Sequence, residues 1–193
     1  MGWKVRNKRP EDGGNAEEFY SQPGAQVYEK NAMRHIQEKI LMRALQLVEV
    51  PAGARVLDAG CGTGFGMQLL KKLGFSASGF DVSPDMVAFA KRKKLAAVAG
   101  DLRKIPFPDK SFDAIVSISA LQWVPLKERA KVAKEFHRVL AGGGVAVIQF
   151  YPASEDEAMA TGRLFRQEGF RVVLHVDSED NPRKRKVFLV IGK

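Results

Sequence analysis

The sequence is poor in cysteine and histidine, and it has no long hydrophobic run. Cys61 is the single cysteine among 193 residues, and only three histidines accompany it. One cysteine excludes an intrachain disulfide framework, and so few thiol and imidazole ligands argue against a zinc cluster or another metal site. No apolar stretch reaches the roughly 18 residues of a membrane-spanning helix, and the N-terminus lacks the apolar segment of a secretory signal. We therefore expect a cytoplasmic protein that does not associate with a membrane.

Basic residues outnumber acidic residues, 31 to 22, and the formal net charge is +9. The excess is spread over both halves of the sequence rather than concentrated in a tail. A positive surplus favours a polyanionic partner, nucleic acid first, although the same charge also serves solubility. Length and composition predict one globular domain over residues 1–193, in which residues 1–50 form an N-terminal arm plus a helix.

The pattern of apolar residues changes near Arg55. Residues 1–24 are polar and contain glycine, which predicts a loosely ordered arm, and apolar residues from Met33 to Val48 recur at helical spacing. From Arg55 onward, strand-like and helix-like segments alternate, and the last two strands form an antiparallel pair around a polar turn. Such alternation is typical of an α/β protein with a mostly parallel sheet that helices cover on both faces. The predicted strands are 55–59, 76–80, 96–99, 112–119, 145–151, 171–176 and 187–191; the predicted helices are 65–73, one from 83, 126–140 up to the glycines 142–144, and 154–168.

A glycine-rich turn after the first predicted strand is the most informative segment. Gly60, Gly62 and Gly64 can adopt positive φ angles and let a ligand approach the main chain. Such a loop alone is a weak signal, because dinucleotide-binding proteins also have one. Asp58 ends the strand before the glycines, where its charge would repel a pyrophosphate and would suit a ligand that carries an amino group.

Two further acids end the next two predicted strands. Asp81 lies where an adenosine would present its ribose hydroxyls, and Asp101 can accept a hydrogen bond from an adenine amino group. Together with the turn, these acids resemble the class I S-adenosylmethionine-dependent methyltransferases. The resemblance covers residues 55–193 and includes the pattern E-x-x-R-V-L-x-x-G-G from Glu135 to Gly144. It implies S-adenosylmethionine as the cofactor and a Rossmann-like fold with seven strands in the order 3-2-1-4-5-7-6, mostly parallel with an antiparallel last strand.

The class resemblance also implies which residues bind the cofactor. The glycine loop lies along the methionine moiety, Asp81 binds the ribose, and Asp101 with the Leu102 amide recognises adenine. Val82 and Met86 flank the adenine ring. The cysteine inside the loop is interpreted as a small filler residue rather than a nucleophile. The complete predicted set is Tyr28, Asp58, Gly60, Cys61, Gly62, Gly64, Asp81, Val82, Met86, Asp101, Leu102 and Ser117.

Segments outside the cofactor motifs resemble a narrower family, the small-subunit ribosomal RNA (guanine-N7) methyltransferases of eukaryotes and archaea. The match runs from about Arg9 to the end of the sequence. It implies methylation of guanine N7 in ribosomal RNA during ribosome assembly, and a small zinc-ribbon activator protein as a partner. The segments that carry it are Ser117–Val124 (SISALQWV), Gln149–Pro152 (QFYP), the ending Arg183–Gly192 and, in the arm, Arg9-Pro10-Glu11, Phe19-Tyr20 and Tyr28–Asn31.

The side chains after the fourth and fifth strands suit a nucleic-acid base as the acceptor of the methyl group. Trp123 and Tyr151 offer stacking surfaces, while Gln122 and Gln149 can hydrogen-bond a base edge. The two segments SISALQWV and QFYP contain no general base, and the in-plane lone pair of guanine N7 requires none. Gln122, Trp123 and Tyr151 are therefore predicted to act by orienting the base. Trp123 has an equally good alternative in packing under the following helix, and Phe150 is expected in the core.

Two other functions remain open at this point. One is a methyltransferase that acts on a small molecule such as a quinone, and the other is an RNA-binding assembly factor that retains the fold. The positive charge and the short connections after the fourth and fifth strands favour RNA. The complete set of cofactor acids weighs against a fold that has lost its cofactor, although fold alone cannot decide function.

Two surface features are candidate contacts with macromolecules. The weak third strand, at 96–99, is expected at an edge of the sheet, where unpaired backbone groups are open to the activator partner. An edge that is covered only by Lys91–Lys94 and water is an equally good interpretation. Val87, Phe89 and Ala90 on the adjacent helix are expected to add apolar contact. The basic turn Arg183–Lys186 is a candidate for phosphate contact, although a solvated turn is an equally good interpretation.

Overall fold

A single seven-stranded sheet flanked by helices makes up the described part of the chain. The computed structural model describes residues 14–21, 31–181 and 184–193. Its strands are β1 (Arg55–Ala59), β2 (Ser76–Asp81), β3 (Ala97–Ala99), β4 (Phe112–Ile118), β5 (Leu140–Phe150), β6 (Arg171–Asp177) and β7 (Lys186–Gly192). Its helices are α1 (Ala16–Phe19), α2 (Asn31–Leu45), α3 (Phe65–Lys72), α4 (Pro84–Arg92), α5 (Arg129–Val139) and α6 (Glu155–Gln167), with short 3₁₀ helices at Leu121–Trp123 and Leu126–Glu128. The sheet order is β3-β2-β1-β4-β5-β7-β6, which confirms the expected order.

Alternate residues of the strands face two separate apolar cores. Leu57 of β1 packs on one face with Phe136 of α5 and Phe165 of α6. Its neighbour Val56 packs on the other face with Met67 of α3. Because successive side chains of a strand point to opposite faces, the apolar runs in these strands supply both cores at once.

The strand directions bring the ends of β1 to β5 to one edge of the sheet. β1, β2, β3, β4 and β5 are parallel, and in register Asp58 lies beside Gly79 while Asp81 lies beside Ala99. β7 runs antiparallel to β5, so Lys186 begins β7 at this same edge. In parallel α/β sheets this carboxyl edge is where ligands bind.

The boundary between α5 and β5 differs from the expectation of a helix to residue 140 and a strand from 145. The helix ends at Val139, and β5 begins at Leu140 and includes Gly142, Gly143 and Gly144. The register with β4 shifts there, from Phe112 beside Leu140 to Ala114 beside Val145. Gly143 adopts a φ of +74° at this irregularity, a conformation that glycine adopts without strain. The glycines therefore make an irregular strand possible rather than separate two elements.

The N-terminal region is more ordered than expected within residues 14–21. Asn15 caps α1 by accepting a hydrogen bond from the Glu18 amide at 2.8 Å, and the Ser83 hydroxyl donates to the Tyr20 carbonyl at 2.9 Å. A polar segment of this kind has no periodic pattern, so its order comes from contacts with distant residues. α2 ends at Leu45, earlier than the predicted Val48. The Arg9-Pro10-Glu11 segment and Tyr28 lie outside the described residues.

The helix beside the β3 edge does not present the apolar surface that the sequence predicted. Val87 is 4% exposed and Ala90 is fully buried, because both face the sheet. Phe89 is half-buried, and the Arg92 guanidinium lies 4.0 Å from its ring centroid. The expectation that Val87 and Ala90 contact a partner is therefore wrong. β3 itself lies at the edge as expected, and its Val98 is exposed.

Candidate active site

A cavity of about 340 Å³ opens at the carboxyl edge of β1, β2 and β4. Its walls come from the glycine turn after β1, the ends of β2 and β3, the loop after β4, and α1. Eight of the predicted site residues line it: Gly60, Gly62, Asp81, Val82, Met86, Asp101, Leu102 and Trp123. The structure thus brings the predicted adenosine and acceptor ends into one cavity.

Close packing explains why glycine occurs in the turn after β1. Gly60 has a φ of +85°, and a Cβ atom there would lie 2.5 Å from the Cβ of Ala120. Gly64 has a φ of +88° at the start of α3, and a Cβ atom there would lie 2.3 Å from the Cδ1 of Leu95. At Gly60 the wall of the cavity is therefore backbone, with no side chain between it and a ligand. Gly64 is not among the described residues that line the cavity, and it serves the packing of the turn.

Asp81 joins the glycine turn to the start of α4. Its carboxylate accepts hydrogen bonds from the Gly62 amide at 2.8 Å and the Ser83 amide at 3.0 Å. Burial raises the pKa of Asp81, and the backbone hydrogen bonds oppose that rise. Each carboxylate oxygen retains a further lone pair, so this side chain can also accept from the two hydroxyls of a ribose.

Asp101 takes part in an ion pair that the sequence did not predict. Its Oδ1 accepts from the Arg103 backbone amide at 2.7 Å and from the Arg103 guanidinium at 2.9 Å. Arg103 also bridges to Glu128. The guanidinium beside Asp101 holds the pKa of this carboxyl below its ordinary value. Arg103 itself lines the cavity next to Leu102, so the acid that was predicted to recognise adenine is paired rather than free.

Asp58 points into a second, smaller cavity of about 30 Å³. The side chain is 4% exposed, and within the described residues its Oδ2 has no hydrogen-bond partner. Burial, with a further contribution from the Asp81 charge, raises the pKa of Asp58 to about 7. A backbone hydrogen bond from Met67 opposes this rise, so only one oxygen of Asp58 is left without a partner. Gly60 lines both cavities, so this carboxylate adjoins the main one. A buried acid with one unsatisfied oxygen beside an open main-chain turn fits a ligand with a cationic amino group.

Cys61 lines the same small cavity as Asp58. Burial and the nearby Asp58 and Asp81 charges raise the pKa of its thiol well above the ordinary value. A thiol that resists ionisation is a poor nucleophile, which agrees with the interpretation of Cys61 as a filler residue.

Trp123 packs against the N-terminal arm rather than under the following helix. Its ring centroid lies 5.3 Å from that of Phe19 and 5.6 Å from that of Tyr20. The indole is half-buried and lines the cavity, and among the described residues its Nε1 has no hydrogen-bond partner. A buried donor without a partner at a cavity wall is a place where a ligand acceptor fits.

Gln149 has a structural role that the sequence did not reveal. It is fully buried, and its Oε1 accepts from the Ser119 hydroxyl at 2.9 Å while its amide donates to the Phe150 carbonyl at 3.2 Å. Ser119 lines the cavity with a φ of +57°, a conformation that a non-glycine residue adopts only when its surroundings hold it. The expectation that Gln149 contacts a base edge is therefore wrong, because its polar atoms hold the loop after β4.

Three other predicted residues are absent from the described cavity lining. Ser117 is fully buried and donates to the Ala59 carbonyl at 2.8 Å, which ties β4 to β1. Gln122 donates to the Ser119 carbonyl at 2.9 Å, and its Oε1 is buried without a partner in the described chain. Tyr151 is half-buried, with the Lys186 ammonium 5.9 Å from its ring centroid. Phe150 is fully buried, as expected.

The cavity also has lining residues that sequence reasoning did not identify. They include Arg103 and a group from the arm, whereas Ser119 and Ala120, which also line the cavity, belong to the SISALQWV segment. The arm residues have no periodicity or motif spacing that links them to the strand ends, and only the Phe19-Tyr20 pair had drawn attention. The arm group is Asn15, Ala16, Glu17 and Tyr20.

Neither a metal-ligand cluster nor a membrane-spanning helix occurs in residues 14–21, 31–181 and 184–193. This part of the chain contains no cluster of three or more His, Cys, Asp or Glu side chains placed to hold a metal ion. It also contains no helix of the length and apolar character that crossing a bilayer requires.

Comparison with known proteins shows which family and which fold this chain shares. The methyltransferase domain family matches residues 57–148. The 18S rRNA (guanine-N(7))-methyltransferase bud23 of Schizosaccharomyces pombe is 31% identical over 95% of this chain and 74% of its own length. The 18S rRNA (guanine-N(7))-methyltransferase of Bos taurus is 33% identical over 96% of this chain and 72% of its own length.

Solved structures share the fold at lower sequence identity. A methyltransferase from Haloferax volcanii, solved in complex with the Trm112 methyltransferase activator, superposes with a TM-score of 0.70. The match covers 92% of this chain and 96% of the Haloferax chain at 20% identity. At that identity the likeness shows a common fold.

Proposed function

Because the chain belongs to the 18S rRNA (guanine-N7)-methyltransferase family, we propose that it methylates N7 of a guanine in small-subunit ribosomal RNA during ribosome assembly. The observation that carries this proposal is the single cavity of about 340 Å³ in which Asp81 and Trp123 both form walls. One end thus offers the polar acceptors that an adenosine needs, and the other offers an aromatic face for a base.

The cofactor is S-adenosylmethionine, and when bound it supplies an electrophilic methyl group on a positively charged sulfur. Asp81 would accept the ribose hydroxyls, and the methionine moiety would lie along the open wall at Gly60. Asp58 would hold the amino group through its unpaired Oδ2. Asp101 and Leu102 would hold adenine against Met86, although the Arg103 ion pair already occupies part of the Asp101 carboxylate.

The acceptor end needs residues that orient a base rather than move a proton. Guanine N7 carries its own lone pair, and the described wall after β4 consists of Ile118, Ser119, Ala120, Trp123 and Val124 with no titratable group. Trp123, supported by Phe19 and Tyr20, would stack on an extruded base. Catalysis then rests on alignment, which can lower a barrier by roughly 7–11 kcal/mol. Gln122 and Tyr151 stay predicted contacts of the same acceptor.

The RNA backbone is expected to bind at the edge that carries the cavity. β7 starts at that edge, so Lys186 lies near Tyr151 and the end of β5, and Lys184 and Arg185 precede it in the chain. Arg183, part of the same predicted turn, lies outside the described residues. These cations would neutralise phosphates without reading sequence.

A small activator protein is the proposed partner at β3. The strand lies at the sheet edge with Val98 exposed, so a further strand can pair with its free side. The Haloferax relative of the same fold was solved in complex with such an activator. The contact would rest on the strand rather than on Val87 and Ala90, which are buried.

The function is tested by following a labelled methyl group. The full chain is incubated with labelled S-adenosylmethionine and either small-subunit RNA, large-subunit RNA or a quinone acceptor, alone and with co-expressed activator. We expect label in small-subunit RNA, recovered as 7-methylguanine after hydrolysis. Label in the quinone alone would support a small-molecule methyltransferase, and binding of small-subunit RNA without transfer would support an assembly factor.

A further inference from the structure

Glu17 is the one acid of the described cavity lining whose carboxylate has no protein partner among the described residues, and its side chain is exposed. Asp81 accepts from two backbone amides, and Asp101 is paired with Arg103. Within the described part of the chain, the Glu17 carboxylate has no hydrogen bond or ion pair, although it lines the same cavity.

Glu17 lies on the same short helical segment as the residues that meet Trp123. Ala16, Glu17 and Tyr20 line the cavity, and residues three or four apart share one face of a helix. Tyr20 contacts Trp123, the aromatic wall of the acceptor end. The polar groups of the cofactor already have acceptors in Asp58, Asp81 and Asp101, so this carboxylate is left for the second substrate.

Guanine presents two adjacent donors, N1–H and the 2-amino group, on the edge opposite N7. A carboxylate accepts both at once, whereas adenine has an acceptor at its N1 and no 2-amino group. A base held by this edge turns its N7 away from the carboxylate. We propose that Glu17 recognises guanine through N1–H and the 2-amino group and so determines the base specificity of the methyl transfer. This inference rests on the proposed function.

The same contact stabilises the product of the reaction. The N7 lone pair forms the bond to the methyl carbon while the carbon–sulfur bond breaks and its electron pair stays on sulfur. The positive charge moves from sulfur to the guanine ring, and no proton is transferred. A carboxylate that accepts from N1–H attracts the positive charge as it develops on the ring. The interaction is therefore stronger in the transition state than in the ground state.

The experiment uses RNA in which only the acceptor base changes. The guanosine that the wild-type protein methylates is mapped first, and a synthetic fragment is made with guanosine or inosine there, since inosine lacks the 2-amino group. We expect wild type to prefer guanosine by roughly tenfold or more in kcat/KM, the size of a charged hydrogen bond. Glu17→Gln should lower kcat on guanosine RNA about tenfold and reduce that preference to below about threefold.

Glu18→Gln is the matched control, because Glu18 lies on the same turn but is not among the described lining residues. This variant should keep the wild-type rate and preference. Calorimetry with S-adenosylmethionine, and RNA binding to protein loaded with S-adenosylhomocysteine, separate the cofactor from the acceptor. We expect Glu17→Gln to leave cofactor affinity unchanged and to weaken binding of guanosine RNA only.

Three results would overturn the inference. A Glu17→Gln protein with wild-type kcat and guanosine preference would do so, and so would a variant that loses cofactor affinity instead. Either leaves the proposed function standing, because wild type still forms 7-methylguanine. A wild-type protein that forms no 7-methylguanine in any RNA overturns both.

Discussion

The three strand-end acids experience different electrostatic surroundings. Burial raises the pKa of Asp58 and Asp81, while the Arg103 guanidinium lowers the pKa of Asp101. Asp81 has two backbone donors, but Asp58 has an oxygen without any partner in the described chain. Of these three acids, Asp58 is therefore the one whose hydrogen-bonding capacity is least satisfied within the described chain.

Asp58 should make the ligand-free protein less stable as pH rises. Its pKa is about 7 in the fold and about 4 when unfolded, so between these values the folded state binds the extra proton. The contribution of Asp58 to the free energy of unfolding is up to about 4 kcal/mol. It is fully present below pH 4 and is lost as pH rises toward 7. Urea unfolding between pH 5 and 8 should show this fall, and Asp58→Asn should flatten it. Parallel curves for the two proteins would contradict the assignment.

Asp81→Ala should weaken S-adenosylmethionine binding at least tenfold, about 1.4 kcal/mol. The variant removes the ribose acceptor and also frees the amides of Gly62 and Ser83. Calorimetry measures the affinity. Asp85→Ala is the control, since Asp85 lies in the first turn of α4 and not in the described cavity lining. Equal affinities for wild type and Asp81→Ala would show that this acid does not bind the ribose.

Sequence patterns locate the cofactor end of the cavity better than the acceptor end. Asp81 and Asp101 end strands, and parallel strands share an edge, so their proximity follows from the pattern alone. Glu17 reaches the cavity only because Tyr20 packs on Trp123 and accepts a hydrogen bond from Ser83. Gln149 supports Ser119 through a buried contact 30 residues apart. Such contacts depend on tertiary packing and have no local signal.

At the scale of elements, a buried arginine joins the loops after β4 and β5. Arg129 is 2% exposed, and it donates to the Val124 carbonyl, the Thr161 hydroxyl and the Glu157 carboxylate. Glu157 also accepts from the Ala153 amide in the loop after β5. Desolvation lowers the pKa of Arg129, and the paired Glu157 opposes that effect. The loops after β4 and β5 are thus held by one network.

Removing one partner of the Arg129–Glu157 ion pair should lower the free energy of unfolding. Glu157→Gln leaves a buried guanidinium charge without its counterion, and breaking such a pair typically costs about 3–5 kcal/mol. We expect a loss near the lower value in urea unfolding, because Glu157 retains some exposure. Glu155→Gln, on the exposed side of the same helix, should change stability by less than about 0.5 kcal/mol. A Glu157→Gln protein as stable as this control would argue against the network.

The elements themselves were largely predictable, and the exceptions have a physical reason. β1 has the predicted bounds because Arg55–Ala59 is a short apolar run that a glycine turn ends. β5 starts five residues earlier than predicted, at Leu140 instead of 145, because Gly142–Gly144 follow an irregular strand path instead of forming a turn. Glycine permits both outcomes, and only pairing with β4 selects between them.

For the molecule as a whole, we expect RNA affinity to depend on which edge of the sheet carries a positive charge, more than on the net charge of +9. Lys186 lies at the carboxyl edge near Tyr151, and Lys184 precedes it in the chain. Lys71 and Lys72 end α3, which runs back from the glycine turn, so they lie toward the opposite edge. The two pairs carry the same charge and differ in distance from the cavity.

RNA affinity should fall steeply with salt, and the carboxyl-edge pair should contribute to that slope. Replacing Lys184 and Lys186 with glutamine should reduce the slope of log K against log salt by about 1–2, depending on how many phosphates the pair contacts. Replacing Lys71 and Lys72 should leave the slope unchanged. Filter binding between 50 and 200 mM salt, roughly the range where such slopes are measured, provides the comparison. Equal slopes for both double variants would place the RNA elsewhere.

The place of β7 between β5 and β6 sets the order in which the sheet can be completed. β6 comes earlier in the chain, yet it joins the sheet only through β7. A nascent chain that has made β5 and β6 therefore exposes an unpaired edge of β5 until Lys186–Gly192 has emerged from the ribosome. Exposed strand edges are starting points for aggregation, so synthesis of this segment is the vulnerable interval. Chaperone contact during translation should be concentrated there, between completion of β5 and insertion of β7.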